Sequence, residues 1–291
     1  MITNTIGIIT EDLTVFNTPE IVDGIDACCE ENGYETILEN MRLFKRHRTV
    51  GTDTPEYHKL LDSQLRNMVA RQAEGIVYVG CRCREITHLP SGVQVPFVYA
   101  NCFPGESAYQ AVMYDDEKAA KDVTMLLIAK GHRRIGVIGG PPSDYHTQAR
   151  LKGFKAALSA HGIRLNSSLI EYGDWEQPSG YYAATLLLHR DISAIFSFND
   201  LMASGVYQLA AERGMVIGKD MSLFGFGNRD ISQGYIPALS TVAPPLNEIG
   251  RRCAEIILGQ IKRRRTGSKR IYLPCAILDR RSAGAPMERK S

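Results

Sequence analysis

The 291-residue chain is 44% hydrophobic and 23% charged, with 34 Lys and Arg against 32 Asp and Glu, a formal net charge of +2. This composition excludes a disordered chain, supports a full apolar core, and at this length suggests about two domains. No run reaches the ~20 apolar residues of a membrane span, the first segment lacks the basic start of a signal peptide and breaks at Glu11 and Asp12, and the balanced charge speaks against a chain that is mainly a nucleic-acid grip.

In chain order, strands are expected at Ile6–Thr10, Glu35–Leu38, Gly75–Val79, Phe97–Ala100, Ile135–Ile138, Leu169–Tyr172, Ala194–Phe198 and Ser222–Phe226. These runs are nearly continuously apolar, the pattern of strands covered on both faces of a parallel sheet. Helical periodicity lies between them, near 18–32, 55–72, 116–130, 147–161, 178–189, 200–213 and 246–263. Four of the joints have a helix ending in Gly with a strand soon after: Gly33, Gly131, Gly162 and Gly214. Glycine suits the left-handed conformation that follows many helices. Repeated strand–helix–strand units predict an α/β fold with parallel sheets. Some eleven strands are too many for one compact sheet, so two sheets and two lobes are expected. No Pro-, Gly- or Ser-rich linker parts them, which implies short ordered crossings.

Seven cysteines stand at 28, 29, 81, 83, 102, 253 and 275. The odd number, and a single residue between Cys81 and Cys83, fit reduced thiols better than a disulfide framework or a zinc pair. The seven histidines form no cluster, so no metal and no cofactor is expected. There is no G-x-S-x-G elbow, no H-E-x-x-H and no phosphate loop ending in Gly-Lys-Ser/Thr. Gly225-Phe226-Gly227 follows a strand but lacks the third glycine of a dinucleotide fingerprint. Catalysis is therefore not expected.

Polar and aromatic residues at strand ends suggest a binding site instead, because ligands of such folds sit at the carboxyl ends of the strands. Glu11, Asp12, Thr14 and Phe16 follow the first strand. Arg150 opens a helix after the strand at 135–138; a surface arginine is the alternative. Trp175, the sole tryptophan, follows the strand ending at Tyr172 and reads either as core or as ligand cover. Asn199 and Asp200 follow Phe198, with a helix cap as the favoured role for Asp200. Asn228 and Arg229 follow Gly227. Aromatics cover apolar faces, and Arg and Asn make paired hydrogen bonds, as a sugar or nucleoside pocket requires.

The segments TIGIIT, AEGIVYVG, VPFVYAN, GHRRIGVIGGP, ARLKGF, GDWEQPSGY, AIFSFNDLMASG, DMSLFGFGN and LPCAILDRRS, in that order and spacing, resemble the effector-binding core of the lactose-repressor (LacI/GalR) family of bacterial transcription regulators. The resemblance runs from about Thr5 to Ser282, and this core is similar to the type I periplasmic sugar-binding proteins. It implies a periplasmic-binding-protein-like α/β fold of two Rossmann-like lobes with parallel sheets, joined by three crossovers near Tyr114/Asp115, Val242–Leu246 and Leu273–Ala276. The lobes would comprise 1–114 plus 243–274, and 115–242 plus 275–291. It also implies a homodimer and a small-molecule effector, such as a sugar or related polar metabolite, in the cleft between lobes. By resemblance, Arg150 hydrogen-bonds the effector, Asn199 contacts its hydroxyls, Trp175 covers it, and Glu11 with residues 12–17 forms the first-lobe wall.

Where the family reads G-F-D or G-Y-D, this chain reads Gly225-Phe226-Gly227, which removes a carboxylate and leaves Asn228 as the nearest polar group. Family members carry an N-terminal helix-turn-helix of about 60 residues that reads operator DNA. This sequence starts at the first strand of the core, so the headpiece is expected to be absent from it. The expectation is a cytoplasmic regulator with no membrane partner. The alternative is a solute-binding protein of a sugar transport system, which an export signal would mark. Two basic clusters, at 42–48 and 262–270, read as solvated faces or as a surface near DNA or a partner.

Overall fold

The computed structural model describes residues 3–43, 54–88, 90, 93–105, 109–262 and 269–287. Of the basic clusters, Lys45 to Arg48 and Arg263 to Arg265 lie outside the described residues. The strands are β1 (Thr5–Thr10), β2 (Glu35–Asn40), β3 (Gly75–Val79), β4 (Glu85–Ile86), β5 (Phe97–Ala100), β6 (Phe103–Pro104), β7 (Gln110–Tyr114), β8 (Ile135–Gly139), β9 (Ile170–Tyr172), β10 (Ala194–Ser197), β11 (Ser222–Phe224), β12 (Thr241–Ala243), β13 (Arg270–Leu273) and β14 (Ala276–Leu278). The helices are α1 (Thr18–Glu31), α2 (Pro55–Ala70), α3 (Asp116–Ala129), α4 (Tyr145–Ala160), α5 (Gln177–Leu187), α6 (Asp200–Glu212), α7 (Ile231–Gly234) and α8 (Leu246–Ile261).

The chain divides into two compact units, Met1–Tyr114 with Pro245–Leu273, and Asp115–Pro244 with Pro274–Ser291. Ala243 and Pro244 thus belong to the second unit, as does Pro274, whereas the sequence places all three in the first. The cause is a short antiparallel ribbon: Ala243 pairs with Ala276 across β12 and β14, so both ends of the ribbon stay in one unit.

The first unit holds a six-stranded sheet in the order β13-β7-β5-β3-β1-β2, with every pairing parallel. The inner strands are wholly buried, as their apolar runs predict. The edge strands β2 and β13 have no buried residue, and β13 alternates exposed with half-buried positions. Helices α1 and α8 pack backbone to backbone: a Cβ on Gly24 would lie 2.0 Å from the carbonyl oxygen of Asn247, and one on Gly250 at the same distance from that of Ile21.

The second unit holds a parallel sheet in the order β11-β10-β8-β9. Here α3 and α4 make the same close approach through Gly153, whose Cβ would meet the Glu117 carbonyl oxygen at 2.0 Å. Both sheets follow doubly wound logic, with the second strand outside the first and the third on its other side. The topological switch points therefore fall between β1 and β3, and between β8 and β10, the places where such folds bind ligands. All four helix-ending glycines adopt positive φ.

Strands β4, β6, β12, β13 and β14 and helix α7 were not among the elements expected, because pieces of two to four residues show no period. Strand β7, Gln-Ala-Val-Met-Tyr, is rich in good helix formers and was hidden by its composition.

Candidate ligand site

The switch point of the second sheet brings Arg150, Trp175 and Asn199 together. Arg150 lies in the second turn of α4 and is only 4% exposed. Its Nε donates to Asp116 Oδ1 at 2.7 Å, and Nη1 donates to the Phe198 carbonyl at the end of β10. The guanidinium lies 3.5 Å from the Phe226 ring centroid and 5.8 Å from that of Trp175. His146, one turn earlier on α4, places Nδ1 at 2.9 Å from the other oxygen of Asp116. Burial alone would raise the Asp116 carboxyl, but His146 and Arg150 outweigh it and hold the group below its ordinary value.

Trp175 is half-buried and has φ of 75°. Its ring covers Gly140, just beyond β8, where a Cβ would come within 2.2 Å of ring carbons Cε2 and Cζ2. Gly140 is thus small because the indole occupies the place of its side chain. The Trp175 carbonyl accepts from Asn199 Nδ2 at 2.8 Å, while Asn199 Oδ1 accepts from the Met202 N–H at 2.7 Å and caps α6. The cap is therefore Asn199. Asp200, expected to cap, instead turns its buried carboxylate away: Oδ1 accepts from the Thr241 hydroxyl at 2.6 Å and Oδ2 from the Arg229 N–H at 2.9 Å. Burial raises its carboxyl, with Thr241 and the Arg229 N–H opposing. Asn228 sits at φ 51°, and its Oδ1 accepts from Arg280 Nη2 at 2.7 Å. Gly227 has φ of 130°, a conformation that L side chains avoid, which fits the loss of a carboxylate at this strand end.

The four first-unit residues follow β1 directly. Glu11 is fully buried and its oxygens are engaged: it accepts from the Tyr78 hydroxyl at 2.7 Å, from the Cys81 N–H at 2.8 Å, and pairs with Arg84. It organises the β1–β3 switch point. Asp12, also buried, accepts from the Thr14 N–H at 3.0 Å and from its hydroxyl at 2.7 Å. Thr14 is exposed and Phe16 half-buried.

Sequence reading missed Asp116 and His146, and missed Arg84 as the partner of Glu11. A signal existed for His146, which stands four residues before Arg150 and so on the same helix face. The pairing of Asp116 with α4 is long-range and left no local mark. Thr147, next to His146, is fully buried, and its hydroxyl has no hydrogen-bond partner among the described residues. Among the described residues no group of three His, Cys, Asp or Glu side chains could hold a metal ion, and no helix is long and apolar enough to cross a membrane.

Residues 124–283 match the model of the periplasmic binding protein-like domain family. The HTH-type transcriptional repressor CytR of Escherichia coli (strain K12) is 29% identical over 97% of this chain and 80% of its own length. The crystal structure of a LacI-family transcriptional regulator from Rhizobium etli superposes with a TM-score of 0.85 at 26% identity, covering 97% of this chain and 100% of that one. The lac repressor dimer bound to operator shares the fold, with a TM-score of 0.79 at 21% identity over 98% of this chain and 95% of that one. These relatives are named as regulators of transcription. The chain belongs to the periplasmic binding protein-like domain family and is the effector-binding core of a LacI/GalR-type transcriptional regulator.

Proposed function

We propose that this core binds a small polar molecule, a sugar or a related polar metabolite, at the carboxyl edge of the second sheet, with Trp175, Arg150 and Asn199 as its principal contacts. The carrying observation is the seating of Trp175. An indole held at positive φ over Gly140, with its carbonyl tied to Asn199, is fixed at the switch point where doubly wound folds take ligands. A planar aromatic face there covers the apolar face of a sugar ring or a base. Glu11, Asp12, Thr14 and Phe16 of the first unit and Asn228 of the second remain candidate ligand contacts, although Glu11 already pairs with Arg84 and Asn228 with Arg280.

The regulator acts in the cytoplasm, as a homodimer on operator DNA, a reading that the naming of its relatives supports. The ligand shifts operator binding only by its differential affinity for two states of the protein, and operator binding shifts ligand affinity by the same factor.

The test is a screen of sugars, sugar acids and nucleosides read by Trp175 emission, with hits confirmed by calorimetry. The reading expects hits that move the emission and that bind at least tenfold more weakly to Arg150→Ala, provided that variant remains folded. Hits that bind equally well to Arg150→Ala and Trp175→Ala, without touching the emission, overturn it.

A further inference from the structure

Asp116 is only 3% exposed and is not itself among the proposed ligand contacts. It occupies the first turn of α3, where the positive end of the helix dipole favours a carboxylate, and Asp115 takes the capping role before it. Its two oxygens are divided between two side chains of α4. Oδ1 accepts from Arg150 Nε at 2.7 Å, and Oδ2 lies 2.9 Å from His146 Nδ1. His146 and Arg150 are one turn apart, so a single carboxylate spans both.

We propose that Asp116 is the positioning residue of the ligand site, gripping Arg150 with one oxygen and His146 with the other, so that the proton on the imidazole sets how firmly Arg150 is held. The proposal rests on the ligand reading above for its consequence, which is proton-linked ligand binding, but not for its geometry.

With a neutral imidazole, the Nδ1–H donates to Asp116, and the carboxylate and guanidinium form a charge-balanced pair. A second proton on His146 makes it a cation drawing on the same carboxylate, next to the like charge of Arg150. Charge-assisted bonds to one carboxylate then compete, and the guanidinium loosens from its seat over Phe226 and against Trp175. Other polar and titratable groups surround the pair. From α3 come Asp115 and Asp116 themselves. From the start of α4 comes Asp144, which caps the helix through the His146 N–H at 2.9 Å, with the Tyr145 ring edge-on to the imidazole at 5.9 Å. From the end of β10 comes the Phe198 carbonyl. From the segment before β14 comes the Cys275 thiol, which burial first and Asp116 second push up to about 12, so that it stays neutral.

The experiment uses the ligand-free protein first. Side-chain 1H–15N spectra between pH 5 and 8 follow Arg150 Nε–H and the His146 ring nitrogens, in wild type and in Asp116→Asn, which keeps the size and one acceptor oxygen. The expected result is an Arg150 Nε–H signal that shifts with the His146 titration midpoint. In Asp116→Asn the coincidence is lost, and exchange of that proton with water quickens at least about tenfold. A hit from the library is then titrated at pH 5.5 and 7.5. Wild type should bind it more weakly at the lower pH, and Asp116→Asn about ten- to a hundredfold more weakly than wild type at pH 7.5 and with little pH dependence. Arg150 signals that ignore the His146 titration, an imidazole that does not titrate in this range, or an Asp116→Asn variant with unchanged exchange overturn the proposal. If no library molecule binds at all, the ligand reading fails while the spectra still decide the role of Asp116.

Discussion

The Asn199 side chain joins two functions in one group: Nδ2 donates to the Trp175 carbonyl at 2.8 Å while Oδ1 accepts the Met202 N–H and starts α6. The Trp175 segment and the start of α6 are thus set by the same amide. Asn199→Ala removes both bonds and should cost about 1 kcal/mol through the lost cap. Asn199→Ser keeps a capping oxygen but not the bridge. Thermal melts should separate the two variants, whereas Trp175 emission should shift in both.

Gly140→Ala tests the seat of the indole. Its Cβ would sit 2.2 Å from the Trp175 ring, so the ring must leave. A changed emission maximum with a small change in melting temperature is expected. An unchanged spectrum would show that the ring does not rest there.

Glu11 and Arg84 form a part-buried pair in which Glu11 is wholly inaccessible and the Arg84 side chain is 20% exposed. Removing Glu11 strands the Arg84 guanidinium, which is partly solvated, and leaves the Tyr78 hydroxyl and the Cys81 N–H without their acceptor, so Glu11→Ala should lose about 2 kcal/mol in urea denaturation. The double variant Glu11→Met with Arg84→Met should recover part of that loss, because neither charge is then stranded.

His132 is fully buried, with Nδ1 at 2.8 Å from Ser193 Oγ and Nε2 at 3.0 Å from the Gly284 carbonyl. Burial depresses its pKa, with Lys130 acting the same way and the Gly284 carbonyl opposing. The folded state therefore resists protonation more than the unfolded chain. The stability contribution is complete above the unfolded value of about 6.5 and is lost as pH falls below it, by up to about 1.4 kcal/mol per pH unit. Between pH 7 and pH 5, His132→Gln should show a shallower loss of stability than wild type by chemical denaturation.

Gly153→Ala would force a Cβ to 2.0 Å from the Glu117 carbonyl oxygen, backbone that cannot turn aside. Helices α3 and α4 must separate, at a cost of about 2 kcal/mol. Because both residues of the Asp116–Arg150 pair ride on these helices, ligand affinity should fall together with the melting temperature.

Much of the architecture was legible because inner parallel strands must be apolar throughout. Gly75–Val79 and Phe97–Ala100 could be read to the residue. The helix-ending glycines marked the joints by a backbone need that only glycine meets cheaply. Edge strands, the β12–β14 ribbon and β7 lacked such a signal. In the candidate site, Trp175, Arg150 and Asn199 were singled out by their places after strands and by the family resemblance, and the structure brings the three together. Asp116 and Asp200 were not, since their roles come from partners 34 and 41 residues away. No local pattern distinguishes a helix-start aspartate that caps from one that reaches across the fold.

The central claim is that Trp175 covers a ligand beside Arg150. Because it is the only tryptophan in the chain, its emission reports on that place alone. Titration of each calorimetrically confirmed binder should change Trp175 emission along the same saturation curve as the heat, and Arg150→Ala should shift both curves to higher concentration together. Saturating binding with an unmoved emission spectrum would contradict the account.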